Sequence, residues 1–236
     1  MTDLGEIGAA VMAWLFAPLS LPLGLVSSWA ELGGFVTGAA SVALAARASI
    51  WTWPVGIANG LFWLALFLAN GLYADSALQV VYIALGVYGT WHWLRGGPQR
   101  ADDLPVSRVP PQTGLVVVGA SGVAIVLGTW LLATRTNSTV PFLDVETTVV
   151  SLAATFLLTR KHIENWPAWI VGVNVPYIGL YLGKGLALTA ILQLVFIALS
   201  VVGWARWRRE LRASDAARMG AVPAVGAAVP VAGEAA

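Results

Sequence analysis

The chain has 236 residues, 58% of them hydrophobic and 11% charged, with a mean hydropathy of +0.77. Soluble domains carry about 25% charged residues, so this composition points to a bilayer as the solvent. The net charge of +1 argues against nucleic-acid binding, and the absence of cysteine excludes disulfides, iron–sulfur clusters and thiolate metal sites.

Met1 to Ile7 carry Asp3 and Glu6 and no positive charge, so no secretory leader is expected. Residues 7–30 are apolar and uncharged but contain Pro18 and Pro22. Proline lacks a backbone donor and breaks the intrahelical bonds that lipid-exposed backbone requires. Residues 1–30 are therefore expected as a broken or interfacial helix, with an extra span as the alternative. A crossing helix needs about 20 apolar residues, because the hydrocarbon layer is about 30 Å thick and the rise is about 1.5 Å per residue. Seven segments meet this need: 31–46, 50–69, 76–94, 114–133, 143–159, 166–182 and 186–205. Each stops at a charge, a Pro/Gly cluster or a polar turn. The expected fold is an all-α membrane protein of seven transmembrane helices. Residues 31–95 and 143–209 are two parallel three-helix repeats, and 96–142 supply a loop and a linker helix. Residues 210–236 are expected as a disordered cytoplasmic tail, rich in Ala, Val, Pro and Gly from residue 213 on.

The positive charges orient these spans. Arg47, then Arg95, Arg100 and Arg108, then Arg160 and Lys161 fall in alternate loops, and Arg206, Arg208, Arg209, Arg212 and Arg218 follow the last span. These are 11 of the 13 Lys and Arg; only Arg135 and Lys184 lie on the other side. The positive-inside rule then places the C-terminus in the cytoplasm and the N-terminus outside, in a multi-pass plasma-membrane protein.

The two groups of three are copies of one unit. Arg47, Ile50, Trp53-Pro54 and Ile57 recur 113 residues later as Arg160, Ile163, Trp166-Pro167 and Ile170. One inserted residue shifts the offset to 114, and 12 of the 25 positions of 71–95 are then identical in 185–209. Shared Gly, Gln and Trp in one order, as in Gln79/Gln193, Gly89/Gly203 and Trp93/Trp207, exceed what apolar composition alone produces. Three spans plus one linker give both copies the same orientation, and substrate sites in such folds lie near the midplane between the copies.

Within the spans, charge is scarce. Asp75 is read as a helix N-cap, Asp144 and Glu146 open the fifth span in the same way, and His92 and His162 fall at the cytoplasmic ends. No phosphate-binding loop and no nucleophile–base or metal-ligand set is present, so neither an enzyme nor a cofactor is expected. What remains is amide and aromatic. Gln79 and Tyr82 are three apart on one helix face, as are Asn174 and Tyr177; Trp169, Val173 and Tyr177 form a stripe, and Asn59 stands four before Trp63. Amides donate and accept, and aromatic faces stack on planar rings, which suits a small heteroaromatic solute with hydroxyls. The same residues are equally suited to bonding neighbouring helices. The stripe Thr148, Ser151, Thr155 and Thr159 is open between lining a path and bonding a neighbour.

Three sets of segments resemble the nicotinamide riboside transporter family, PnuC. They are Trp53-Pro54-Val55-Gly56-Ile57; Gly71-Leu72-Tyr73-Ala74-Asp75 with Leu78-Gln79 and Tyr82; and Tyr88-Gly89-Thr90-Trp91-His92-Trp93. In the second half, Ile163-Glu164-Asn165-Trp166 with Trp169, Asn174 and Tyr177, then Lys184-Gly185-Leu186, add to the match, which spans about residues 30–207. The resemblance implies a fold like the SWEET sugar transporters, two three-helix bundles around a linker helix, and a homotrimer in the lipid bilayer. It also implies facilitated diffusion of nicotinamide riboside, with riboflavin and thiamine as the substrates of related branches. It carries substrate contact onto Gln79, Tyr82, Trp169, Asn174 and Tyr177, and less strongly onto Trp91 and Asn59. Gln193 and Phe196, Pro176, and Pro167 depart from the usual pattern, which leaves the substrate open. A membrane interaction protein without transport is the alternative from another class.

Overall fold

The computed structural model describes residues 4–20, 26–96, 104–136, 138–183 and 187–220. Helix α1, Leu4–Leu15, stops before Pro18 and is followed by an antiparallel hairpin of β1, Pro18–Ser20, and β2, Val26–Ser28. A helix of 12 residues is about 18 Å long, short of the hydrocarbon thickness. The N-terminal segment is thus a broken helix. The hairpin adds a small sheet to a fold expected as purely helical. Trp14 stacks on Trp29 at 5.5 Å and ties α1 to the next helix.

Helix α2, Trp29–Ala46, is capped by Ser28, whose Oγ accepts from the Glu31 N–H at 3.2 Å. Helices α3, Thr52–Ala69, and α4, Tyr73–Arg95, follow, joined through Gly71 at φ +71°, a left-handed conformation that glycine tolerates. Asp75 is not the N-cap that the sequence reading gave it. Leu72 holds that position, and the carboxylate lies in the first turn, where the positive end of the helix dipole favours it. Helix α5, Pro111–Arg135, has no buried residue, and its Leu and Val side chains face outward all round. Helix α6, Pro141–Thr159, leads through a turn into α7, Asn165–Trp169, a π turn at Ile170–Asn174, and α8, Val175–Gly183. Helix α9 is Ala187–Gly220. Among the described residues four helices are long and apolar enough to cross a membrane by composition alone: α2, α3, α5 and α6.

Residues 210–220 are therefore helical, not part of a disordered tail; the remainder of the tail, 221–236, lies outside the described residues, as do Lys184, Gly185 and Leu186. Leu211 explains the extension, because it is buried in the core cluster and anchors the helix two turns beyond Trp204. The Ala-rich stretch behind it has high helix propensity.

Packing follows the sequence repeat. Helices α2, α3 and α4 pack in succession, while α2 also meets α9 and α4 also meets α6. The first helix of each copy therefore lies against the third helix of the other. Ala48 and Lys161, 113 positions apart, both adopt left-handed turns, at φ 51° and 50°. Trp53 lies against Gly89, and Trp166 against Gly203; a Cβ at either glycine would fall 2.5 Å from the indole. The buried hydrophobic cluster of the described residues sits at the arginine-rich end and holds Trp53, Trp93, Trp166 and Trp207. Residues 104–110 strap across the same end. The Ser107 N–H donates to the Lys161 carbonyl at 3.0 Å, the Ile163 N–H to the Ser107 carbonyl at 2.9 Å, and the Val109 N–H to Glu164 Oε2 at 3.0 Å.

Candidate functional site

The apolar cluster ends one to two turns into the helices, and the interior beyond it is polar. On α6, Thr147, Ser151, Thr155 and Thr159 are buried. Each donates to a carbonyl of its own helix, at 2.7, 2.8, 2.8 and 2.6 Å respectively, which satisfies the donor and leaves acceptor capacity facing inward. The buried stripe thus begins at Thr147, with Thr148 bonded to Asp144 at the side. Opposite it, on α4, the Tyr82 hydroxyl bonds the Ser151 hydroxyl. Helices α4 and α6 therefore meet at Tyr82 and Ser151.

Asn174 sits in a π turn of the second copy. From Ile57 to Gly71 there are 14 steps and from Ile170 to Gly185 there are 15, so the second copy holds one residue more. A π turn absorbs one extra residue while the flanking helix stays in phase, and such turns recur at functional sites. Here it falls at Ile170–Asn174, packed against α6 and α9. Asn174 is 5% exposed, and its amide has no hydrogen-bond partner among the described residues. Gln193 is buried on α9 and likewise has no partner among the described residues, and Gln79, its repeat equivalent, is half-buried on α4 without one.

The expected residues separate into two sets. Tyr82 lies at this polar centre, with Gln79 one turn along α4; Asn174 is buried in the π turn that packs against α6, and Tyr177 follows it on α8. Trp169 is half-buried at the end of α7 with no ring partner among the described residues. Two residues stand apart. Trp91 is 51% exposed and lies against Tyr88 and His92 on the outer side of α4. Asn59 donates its amide to the Gly34 carbonyl and, at 3.4 Å, to Thr37 Oγ1, so it joins α3 to α2 within one copy. Ser151 belongs to the centre although the resemblance did not carry contact onto it, and Gln193 is buried on α9. The duplicated glutamine was the signal for the second; for Ser151 only the stripe on α6 hinted at it.

Among the described residues no three His, Asp or Glu come together as a metal site. Two open depressions lie at the arginine-rich end, beside Trp204 and Arg208 and beside Arg47 and Glu210. His162, in the turn before α7, bonds Ser107 Oγ through Nδ1 at 3.0 Å, and burial holds its pKa below the ordinary value despite the opposing charge of Glu164.

The sequence profile of the nicotinamide mononucleotide transporter family matches residues 28–209. The riboflavin/roseoflavin transporter RibM of Streptomyces davaonensis is 27% identical, over 78% of this chain and 88% of that protein. The nicotinamide riboside transporter PnuC of Escherichia coli is 25% identical, over 78% of this chain and 87% of that protein. The crystal structure of the vitamin B3 transporter PnuC superposes with a TM-score of 0.60 at 24% identity, over 88% of each chain, which is a likeness of fold.

Proposed function

The chain belongs to the nicotinamide mononucleotide transporter family, and from that membership we propose that it is a membrane facilitator carrying nicotinamide riboside down its gradient into the cytoplasm. The observation that supports the reading is the buried polar interior where Tyr82 bonds Ser151, with Asn174 buried in the π turn that packs against α6. A tyrosine ring face accepts a flat pyridine ring, and Asn174, Gln79 and Gln193 offer donors and acceptors to a carboxamide and to ribose hydroxyls. Facilitated diffusion fits the placement of acidic residues. Glu31, Asp75, Asp144 and Glu146 all stand within the first two turns of their helices, leaving no carboxylate of these spans at mid-depth to couple an ion.

The arrangement we propose is seven spans, with parallel copies 31–95 and 143–209 around the linker helix α5. The reciprocal contacts of α2 with α9 and of α4 with α6 support it. The count of 11 of 13 Lys and Arg on one side supports a cytoplasmic C-terminus, an external N-terminus and residence in the plasma membrane. A homotrimer remains part of the proposal; the outward apolar face of α5 suits either lipid or a neighbouring copy.

Riboflavin is the second reading. The 27% identity to a riboflavin/roseoflavin transporter favours it, and a larger, neutral, hydroxylated heteroaromatic would use the same amides and tyrosines. Uptake of labelled nicotinamide riboside, riboflavin and thiamine by proteoliposomes separates the readings. Entry of riboflavin without the riboside would overturn the first, and a folded protein that passes none would favour an interaction protein.

A further inference from the structure

The four buried tryptophans are not equivalent in what they hold. The Trp53 and Trp166 rings each press on a glycine of their own copy, Gly89 and Gly203, and their indole N–H groups are buried without a partner. The Trp93 and Trp207 indoles instead bond across the copies. Trp93 Nε1 donates to the Leu158 carbonyl at 3.2 Å, and Trp207 Nε1 donates to the Ala45 carbonyl at 3.1 Å. Positions 45 and 158 differ by 113 and positions 93 and 207 by 114, so the two bonds are one interaction made twice, in opposite directions. Trp93 and Trp207 lie 6.4 Å apart, and each meets its neighbour edge to face, at 5.4 Å for Trp53 and 5.5 Å for Trp166.

This pair stands between the polar centre and the arginine-rich face. Along α4, Trp93 is 11 residues past Tyr82, and along α6, Leu158 is seven past Ser151. At about 1.5 Å per residue the bonds lie roughly 10 to 16 Å from the centre. Among the described residues the strap 104–110 hydrogen-bonds to 161–164, and its Val106 joins the cluster shared by both copies. Separating the copies at this end therefore breaks the two indole bonds, together with the contact of Lys161 Nζ over the Trp93 ring at 4.4 Å.

We propose that Trp93 and Trp207 form a symmetric latch that closes the solute path on the arginine-rich face. They are positioning residues that decide which side the polar centre opens to. The proposal rests on the transporter reading but not on the identity of the solute. Its recognition chemistry is internal: an indole N–H of one copy against a helix-end carbonyl of the other, twice.

The natural absence of cysteine permits a direct test on the full chain. Thr155→Cys places a thiol one turn inward from Leu158, behind the latch, and its labelling by a membrane-impermeant maleimide reads the opening from either face. Phenylalanine keeps a ring but removes the N–H. Losing one such bond raises labelling from the arginine-rich face about fivefold in Trp93→Phe or Trp207→Phe, and about 25-fold in the double variant. Labelling from the opposite face does not rise. Trp53→Phe and Trp166→Phe remove similar ring volume but no bond, and they leave the rate within about twofold of the parent. Equal acceleration in these controls would show loose packing in place of a latch, and unchanged labelling in both latch variants would overturn the proposal. The two single variants are independent tests, so one that fails to fold leaves the other decisive. A failure of riboside uptake with the labelling pattern intact would remove the substrate and leave the latch.

Discussion

Asn174→Leu separates a ligand-reading amide from a structural one. A buried amide without a partner costs about 1–3 kcal/mol of folding stability, and an apolar isostere removes that cost. Asn174 is 5% exposed and makes no hydrogen bond to another described residue, so its replacement is predicted to remove no bond between described helices. The variant should therefore unfold at the same temperature as the parent or a few degrees higher, in detergent by differential scanning fluorimetry. Solute binding should fall. An amide contributes one or two hydrogen bonds to a ligand at about 1 kcal/mol each, so affinity drops about fivefold for one bond and about 25-fold for two. Asn59→Leu is the opposite case, because its amide already bonds Gly34 and Thr37 on α2. It should lose about 1–2 kcal/mol of stability while the folded fraction binds normally. Parallel loss of stability and affinity in Asn174→Leu would refute the reasoning, because it would make Asn174 a bond between helices.

Tyr82→Phe breaks the bond to Ser151 and should lower stability by about 1 kcal/mol or less, since Ser151 keeps its bond to Thr148; uptake at low solute concentration should fall severalfold. Gly89→Ala and Gly203→Ala each drive a Cβ to 2.5 Å from an indole and should cost about 1–3 kcal/mol, measured as matched drops in melting temperature. Gly122→Ala on α5 meets nothing within 4 Å and should be neutral or stabilising. The lowered pKa of His162 makes its folded form favour the neutral imidazole. Its contribution is complete above the ordinary histidine value and is lost as pH falls through the lowered one, so melting temperature should decline as pH falls below the ordinary histidine range. His162→Asn should flatten that decline.

Much of this was legible because duplication writes the same constraint twice. Trp53, Gly89 and Trp93 recur at a fixed offset, and their packing recurs with them. The one-residue change of offset also marked the π turn, though a count of steps cannot say where in the helix the extra residue is stored. Helical spacing put Asn174 and Tyr177 on one face, but the bond from Tyr82 to Ser151 crosses from α4 to α6 and no spacing within one helix could show it. Spacing within a helix could not separate Asn59 from Asn174, because the difference lies in what stands opposite: a carbonyl on α2 for one, no partner for the other. The exposure of Trp91 was likewise not legible, since aromatic content does not reveal which way a helix turns in its bundle. The tail was misread at 210–220 because Leu211 is a single apolar residue amid arginines, and only the cluster it joins explains the helix.

The most direct test of the central claim is counterflow in proteoliposomes loaded with unlabelled nicotinamide riboside and holding neither ATP nor an ion gradient. The account predicts that external labelled riboside enters, overshoots transiently and settles at the external concentration, and that Asn174→Leu slows the entry. No entry of label, or accumulation above the external concentration only when an ion gradient is imposed, would contradict it.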